Sequence, residues 1–424
     1  MTTSQPSFSS RTSGNEDTNK LTAIPATLFA WRPFLEKMMT RLLKTAFAFL
    51  MLTAVGCAQE YQTSQALRQD AAYQSSQRQL AGILQQTLDQ SREFIDVPGA
   101  VAFVERPDGT TWHGVSGFSD LLNMTKMTPD LKFRIASATK TFTAAVTLQL
   151  VDENRLSLDD TLESILPGAM PNGANVSVRQ LLNHTSGYFD YIQAQKPVIF
   201  LLEVSKNLAR IWSHDELLAI ARANDPYFAP GKGFHYSNTN YLLLGMIIEK
   251  RTGKSFAENV EFRILKPLGL EDTYVPSDLD VGMPPGSTNT YCYADFGKGD
   301  AWTDTTNMSA SWMFSAGNMI STTRDLQKWL AALMSGRVLS PTSRTAMFTY
   351  VNDAYGLGVE KLGGTGEGHT GDSVVAGQAA MYQWKGWRLM ILINAAARNS
   401  TVGFGSEFIM DKLAAALQSA RVVQ

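Results

Sequence analysis

Cysteine is nearly missing from this 424-residue chain, which holds only Cys57 and Cys292. Two cysteines cannot build a disulfide framework, and a four-cysteine zinc site is excluded. Histidine is scarce too. None of the five (His113, His184, His214, His235, His369) forms a His-x-x-x-His pair, so no metal and no cofactor is expected. An excess of one charge is also lacking: the net value of −2 supplies no basic face, so nucleic acid is not an expected partner. Hydrophobic residues at 44% and charged residues at 18% describe a globular protein without a long disordered region. No internal repeat is visible.

One uninterrupted apolar run stands out. Thr45 to Gly56 (TAFAFLMLTAVG) follows the basic stretch Met39-Thr40-Arg41-Leu42-Leu43-Lys44. That is the layout of a secretory signal peptide, too short to span a bilayer comfortably. An amphipathic internal helix is disfavoured because the run has no polar face. Cleavage after Ala58 would release an exported, periplasmic or extracellular protein. Alternatively, Ala54-Val55-Gly56-Cys57 resembles a lipoprotein cleavage box, in which Cys57 becomes a lipidated membrane anchor. Residues 1–37 are polar and precede the signal, which suggests a true start at Met38 or Met39.

The chain is therefore expected to comprise an extension and signal peptide (1–58), a Gln/Ser-rich tether (59–75) and one large domain (76–420). Gln77–Phe94 has helical spacing. Val101–Val104 and Trp112–Phe118 flank the turn Pro107-Asp108-Gly109 and predict a β-hairpin. Ser137–Glu153 reads as a buried helix. Residues from about 155 to 350 are mainly helical, with one helix through Leu242–Ile248 ending near Gly253 and another from Thr323 to Met334. Strands return at Gly356–Leu362, Gly377–Trp384 and Trp387–Ile393, the last two joined by Lys385-Gly386. Ser406–Leu417 is a closing helix. Strands at both ends with helices between predict an α+β fold, its antiparallel sheet drawn from both termini and flanked by helices around an inserted helical region.

Chemistry concentrates in three places. Ser137-Ala138-Thr139-Lys140 puts a serine and a lysine on one helix face, so the amine can reach the hydroxyl and activate it. About 100 residues on, Tyr236-Ser237-Asn238 follows a Pro-Gly turn and precedes a helix. A phenol beside an ammonium has its pKa pulled down and becomes a proton shuttle, and the Asn238 amide can serve both a substrate carbonyl and Lys140. Tyr350-Val351-Asn352 repeats the pattern in a poorer setting. The third place is His369-Thr370-Gly371, after the run Gly363–Gly368 and entering a strand whose edge can meet an extended substrate. Arg251-Thr252-Gly253 and Gly364-Thr365-Gly366 are decoys. The glycine run is no dinucleotide fingerprint, since no Gly-x-Gly-x-x-Gly lies between a strand and a helix.

This ordered set resembles the serine β-lactamase / penicillin-binding protein family. Its Tyr-Ser-Asn and His-Thr-Gly variants are most similar to low-molecular-weight D-alanyl-D-alanine carboxypeptidases and class C β-lactamase-like hydrolases. The resemblance runs from about 95 to 418, through Leu181–Gly187, Trp312–Gly317 and Tyr355–Gly358. It implies a β-lactamase/transpeptidase-like fold and acyl-enzyme catalysis. Ser137 would be the nucleophile, Lys140 would share in its deprotonation, and Tyr236 would protonate the leaving group and later activate water. His369 would support the Tyr236–Lys140 pair. Asn238, Thr370, Gly371, Asp372 and Trp312 would bind substrate, with the Ser137 and Asp372 N–H groups as oxyanion hole. Which of Lys140 and Tyr236 is the acylation base stays open.

Two departures bear on substrate. The carboxypeptidase branch has an arginine after the Gly-Leu-Gly run to grip a terminal carboxylate; here the residues are Val359-Glu360-Lys361. Asp372 stands where Thr or Ser usually follows His-Thr-Gly. Both acids would repel a peptide C-terminus unless they point to solvent or Lys361 takes over by a register shift. The expectation is an exported, monomeric serine hydrolase of D-amino-acid peptides, amides or esters. The alternatives are a β-lactamase or esterase, and a penicillin-binding sensor that stays acylated.

Overall fold

A computed structural model of the protein describes residues 32–193, 204, 206–277, 279–293, 301–362, 366–373, 375–399 and 401–420. Residues 1–31 of the expected extension and Gly363–Thr365 of the glycine run lie outside them. The chain divides into two compact units, Met1–Ser76 and Gln77–Gln424.

Helix α1 (Arg32–Ile95) includes residues 59–75, which were expected to be a tether. Its physical basis is the absence of any Gly or Pro between Gly56 and Gly82, in a stretch rich in Gln and Ala that propagates a helix well. In the first unit the apolar side chains of this helix are exposed, among them Phe47, Phe49, Leu50 and Leu52. An 18-residue window of mean hydropathy 1.5 is long and apolar enough to cross a membrane, a test a signal sequence passes equally.

The second unit is organised by seven strands: β1 (Gly99–Glu105), β2 (Thr111–Asp120), β3 (Thr125–Lys126), β4 (Glu360–Leu362), β5 (Gly366–Ser373), β6 (Gly377–Trp384) and β7 (Trp387–Ile393). They lie in the order β3-β2-β1-β7-β6-β5-β4, joined throughout by antiparallel pairing. Both termini thus build one sheet, as the sequence predicts. The first hairpin turns at Arg106, where Gly109 N donates to its carbonyl, and the last at Lys385-Gly386, both with positive φ. That is a tight hairpin turn matching the twist of its strands. The strand expected over Gly356–Leu362 is shorter, because Gly358 has a φ of 81° and breaks the extended run.

Strand parity divides the interior into two cores. Val101, Phe103, Ala379, Met381, Met390 and Leu392 face one side. There they meet helices α2 (Thr139–Asp152), α3 (Asn238–Thr252) and α4 (Thr323–Met334). Ala102, Val104, Tyr382, Leu389 and Ile391 face the other. They are covered by Leu84 and Leu88 of α1 and by Ile409 and Leu413 of α5 (Gly405–Ser419). Short helices and long loops fill the segment between the two halves of the sheet.

Candidate active site

Ser137 sits in a one-turn 3-10 helix, Ala136–Ala138, that leads directly into α2. The turn is strained: Ala136 has a φ of 44°, a conformation that costs a non-glycine residue about 1–3 kcal/mol. It is held from both sides. Ile135 N donates to Met319 O at 3.0 Å, and Gly371 of β5 packs so closely that a Cβ there would stand 2.1 Å from Ile135 O. Glycine at 371 therefore lets the strand lie against the serine turn.

Lys140, one turn on, is fully buried. Its Nζ lies 3.0 Å from Ser137 Oγ, 2.7 Å from Asn238 Oδ1 and 2.7 Å from Ala316 O. Burial drives its pKa down to about 7, against the opposing pull of Asp190 and Glu360. Two of its three neighbours, the Asn238 amide oxygen and the Ala316 carbonyl, only accept. A neutral amine spends both N–H bonds on them, which leaves its lone pair aimed at Ser137 Oγ. The loop carrying Ala316 is anchored to both helices. Thr143 Oγ1 of α2 donates to Ser315 O at 2.6 Å, and Ser315 Oγ donates to Tyr241 O of α3 at 2.8 Å.

Tyr236 and Asn238 enter at the start of α3. Asn238 is fixed by a residue that motif spacing does not reveal. The buried Asp190 carboxylate accepts from the Asn238 backbone N–H at 3.1 Å and from Asn238 Nδ2 at 3.1 and 3.3 Å. Tyr236 lies beside the Ser137 side chain, close enough for the two to interact electrostatically. Its ring is tilted against His184, with centroids 4.3 Å apart, and its centroid lies 4.9 Å from Lys140 Nζ. The expected lowering of its pKa is reversed: burial, reinforced by Glu360, pushes the phenol well above its ordinary range. Desolvation dominates, and at neutral pH the phenol keeps its proton.

His369 is fully buried on β5. Its Nδ1 faces only acceptors, Thr370 O and Glu360 Oε1 (3.6 Å), so it carries the hydrogen, and Nε2 accepts from Tyr355 OH at 2.8 Å. Burial lowers its pKa. It is a neutral imidazole set 6.5 Å ring-to-ring from Tyr236, where the resemblance implied electrostatic support.

Glu360 turns inward. Its Oε2 accepts from Thr370 N (2.9 Å), Thr370 Oγ1 (2.9 Å) and Tyr382 OH (2.6 Å). The β4–β5 pairing stops at Gly368, and residues i and i+2 of a strand present their N–H groups to the same edge. Thr370 N–H on that edge is already taken by Glu360, and Asp372 N–H points the same way. The Asp372 carboxylate accepts from Gln378 Nε2 at 2.6 Å, and burial raises its pKa. Lys361 is bound to Asp353 rather than positioned to grip a substrate. Trp312 lies in the core with 2% of its surface exposed, and Tyr191 OH donates to its carbonyl. It offers no open face of the kind a substrate-binding role implied. Tyr350 bonds Glu367 at 2.9 Å, while Arg251-Thr252-Gly253 closes α3 with Gly253 left-handed. Neither decoy contributes to the serine cluster. Among the described residues no cluster of acidic, histidine or cysteine side chains could hold a metal.

Asp190, Tyr355, Tyr382 and the Ala316 carbonyl escaped sequence reasoning as functional groups. The signals were the runs already noted as resemblances: Trp312–Gly317 contains Ala316, Tyr355–Gly358 contains Tyr355, and Leu181–Gly187 ends three residues before Asp190, while none marks Tyr382.

Comparison with known proteins identifies the family and the fold. A beta-lactamase family model covers residues 84–414. A D-stereospecific amidohydrolase from Streptomyces sp. is 34% identical, with a TM-score of 0.68 over 78% of this chain and 97% of that one. A D-amino acid amidase from Ochrobactrum anthropi SV3, solved with L-phenylalanine amide, is 30% identical, with a TM-score of 0.70 over 81% and 99%. Protein flp of Staphylococcus aureus (strain MW2) is 29% identical over 266 residues, 60% of this chain. The chain spans about half the length of the curated relatives it matches first. With its fold, its serine–lysine–tyrosine cluster and these matches in agreement, the chain belongs to the beta-lactamase family of serine hydrolases.

Proposed function

We propose that the protein hydrolyses amides of D-amino acids, and related D-peptides and esters, through an acyl-enzyme on Ser137. The observation that carries this reading is the Lys140 environment. A neutral amine with both N–H bonds committed can only accept a proton from Ser137 Oγ, so Lys140 is the acylation base. Tyr236, held protonated, is the acid. As the Ser137 Oγ–carbon bond forms, the hydroxyl proton passes to Lys140. As the carbon–nitrogen bond breaks, the leaving amine takes its proton from Tyr236, and Lys140 restores the phenol. Water then cleaves the ester by the same groups in reverse order. Asn238, Thr370 and Asp372 N–H line the substrate's path, and the inward Glu360 favours uncharged or cationic leaving groups over a free carboxylate. The two amidohydrolase likenesses support the same choice. We further propose that the enzyme is exported, on the strength of the exposed apolar segment behind Arg41 and Lys44.

The test is incubation with D- and L-phenylalaninamide, an acyl-D-alanyl-D-alanine, a short-chain ester and penicillin, followed by product assay and intact mass. Ammonia release from the D-amide with transient Ser137 acylation supports the reading. Faster penicillin turnover would make it a β-lactamase, and stable acylation without turnover would make it a sensor.

A further inference from the structure

A buried carboxylate with no part in the chemistry above stands directly behind it. Asp190 has 1% of its surface exposed and lies 48 residues before Asn238. Among the described residues the hydrogen-bond partners of its two oxygens are all donors: Asn238 N, Asn238 Nδ2 and Ile192 N, the last at 3.2 Å. An asparagine amide is nearly symmetric in shape, and a flip would present its NH₂ to Lys140. Here the flip is forbidden, since it would set Oδ1 against the Asp190 carboxylate. The grip on both donors of Asn238 leaves only Oδ1 to face Lys140, at 2.7 Å.

We propose that Asp190 is a positioning residue for acylation: by locking the Asn238 amide it dictates which N–H of Lys140 is spent, and so keeps the lysine lone pair on Ser137. This rests on Lys140 being the base. Replacing the carboxylate by an amide removes the lock, and the amine then rotates among its acceptors. Loss of one charge-assisted hydrogen bond in such an array corresponds to a fall of about 10- to 100-fold in the rate of serine attack. The Asp190 charge has a second effect. The charged and titratable groups around Lys140 are Asp190, Glu360, His184, His369, Tyr236 and Tyr241. Burial raises the Asp190 pKa against the pull of its donors; in its ionised form it raises the lysine pKa, so removing that charge moves the acidic limb of the rate profile to lower pH.

The experiment measures the second-order rate of Ser137 modification by a fluorophosphonate, followed by intact mass from pH 5 to 9. The reagent reports serine activation without any choice of substrate. Asp190→Asn is expected to lower the plateau rate 10- to 100-fold and to shift the limb downward. In an Asn238→Ala background, where the lock has nothing to hold, the same substitution is expected to change the plateau less than about threefold. Equal losses in the two backgrounds, or an unmoved limb, would mean that Asp190 only supports the fold and would overturn the proposal. Should Asp190→Asn fail to fold, Asp190→Glu displaces the carboxylate by one methylene and is judged by the same non-additivity. If Lys140→Met labels as fast as the unmodified protein, the assignment of the base fails instead, a result distinct from failure of the lock.

Discussion

Glu360 makes the sharpest prediction about substrate. Its Oε2 is 2.9 Å from both the N–H and the hydroxyl of Thr370, the donors a leaving-group carboxylate on this strand edge would seek. Two carboxylates sharing Thr370 would come within about 4 Å, where an effective dielectric constant near 20 gives roughly 4 kcal/mol of repulsion. The Glu360 side chain is 20% exposed, and partial screening reduces this to roughly 2–4 kcal/mol, equivalent to about 30- to 900-fold in kcat/KM. A matched pair, acyl-D-alanyl-D-alanine and its C-terminal amide, isolates the charge. The amide is expected to be the better substrate by that factor. Glu360→Gln is expected to collapse the preference to a few-fold, and Glu360→Arg to bring the free acid level or ahead. Raising salt should narrow the gap only modestly, since the group is largely enclosed. If the unmodified enzyme handles the free acid as well as the amide, Glu360 does not meet the leaving group, and ordinary carboxypeptidase action becomes the better description.

The other predictions follow from the serine cluster. Ser137→Ala is expected to abolish both turnover and covalent labelling; a labelled mutant would show that another nucleophile is in use. Tyr236→Phe is expected to lower kcat by roughly 10²–10⁴-fold, the usual scale of general acid–base catalysis, whereas Tyr350→Phe leaves the chemistry nearly untouched; similar losses at both would contradict the geometry. The rate kcat/KM is expected to rise about tenfold per pH unit up to about 7, where Lys140 loses its proton; a flat profile from pH 5 to 8 would exclude it as the base. The same depression makes unfolding take up a proton between about 7 and the ordinary lysine value of 10.5. Native stability should therefore rise with pH across that window, a slope Lys140→Met removes; unchanged pH dependence of urea midpoints would refute it.

Local chemistry was legible in the chain where one element carried it. Ser137 and Lys140 lie one helical turn apart, and α2, α4 and the last hairpin declare themselves by periodicity and turn residues. Groups related only through space were not. Asp190 meets Asn238 across 48 residues, and no periodicity encodes that a carboxylate should face an amide. The substitution at Glu360 was visible, but its direction was fixed by Thr370 and Tyr382 on two neighbouring strands. The sign of the Tyr236 shift was misjudged for a related reason: a charged neighbour can be read from a motif, whereas the depth of burial comes from the finished fold. That residues 59–75 are helical was not read from the chain because polar composition was given more weight than helix propensity.

The pairing of β1 with β7 has a consequence for how the molecule is made. Roughly 290 residues separate Ala100 from its partner Ile393, and at 5–20 residues per second β1 waits on the order of 15–60 s for the strand that completes it. During synthesis the first hairpin presents an unpaired edge lined by Val101, Phe103 and Val104, the kind of edge that recruits foreign strands. The serine turn cannot be tightened against Gly371 until the final strands arrive, so a nascent or C-terminally truncated chain has the nucleophile but no wall to hold it. The reactive arrangement is therefore completed only when the last hairpin is in place.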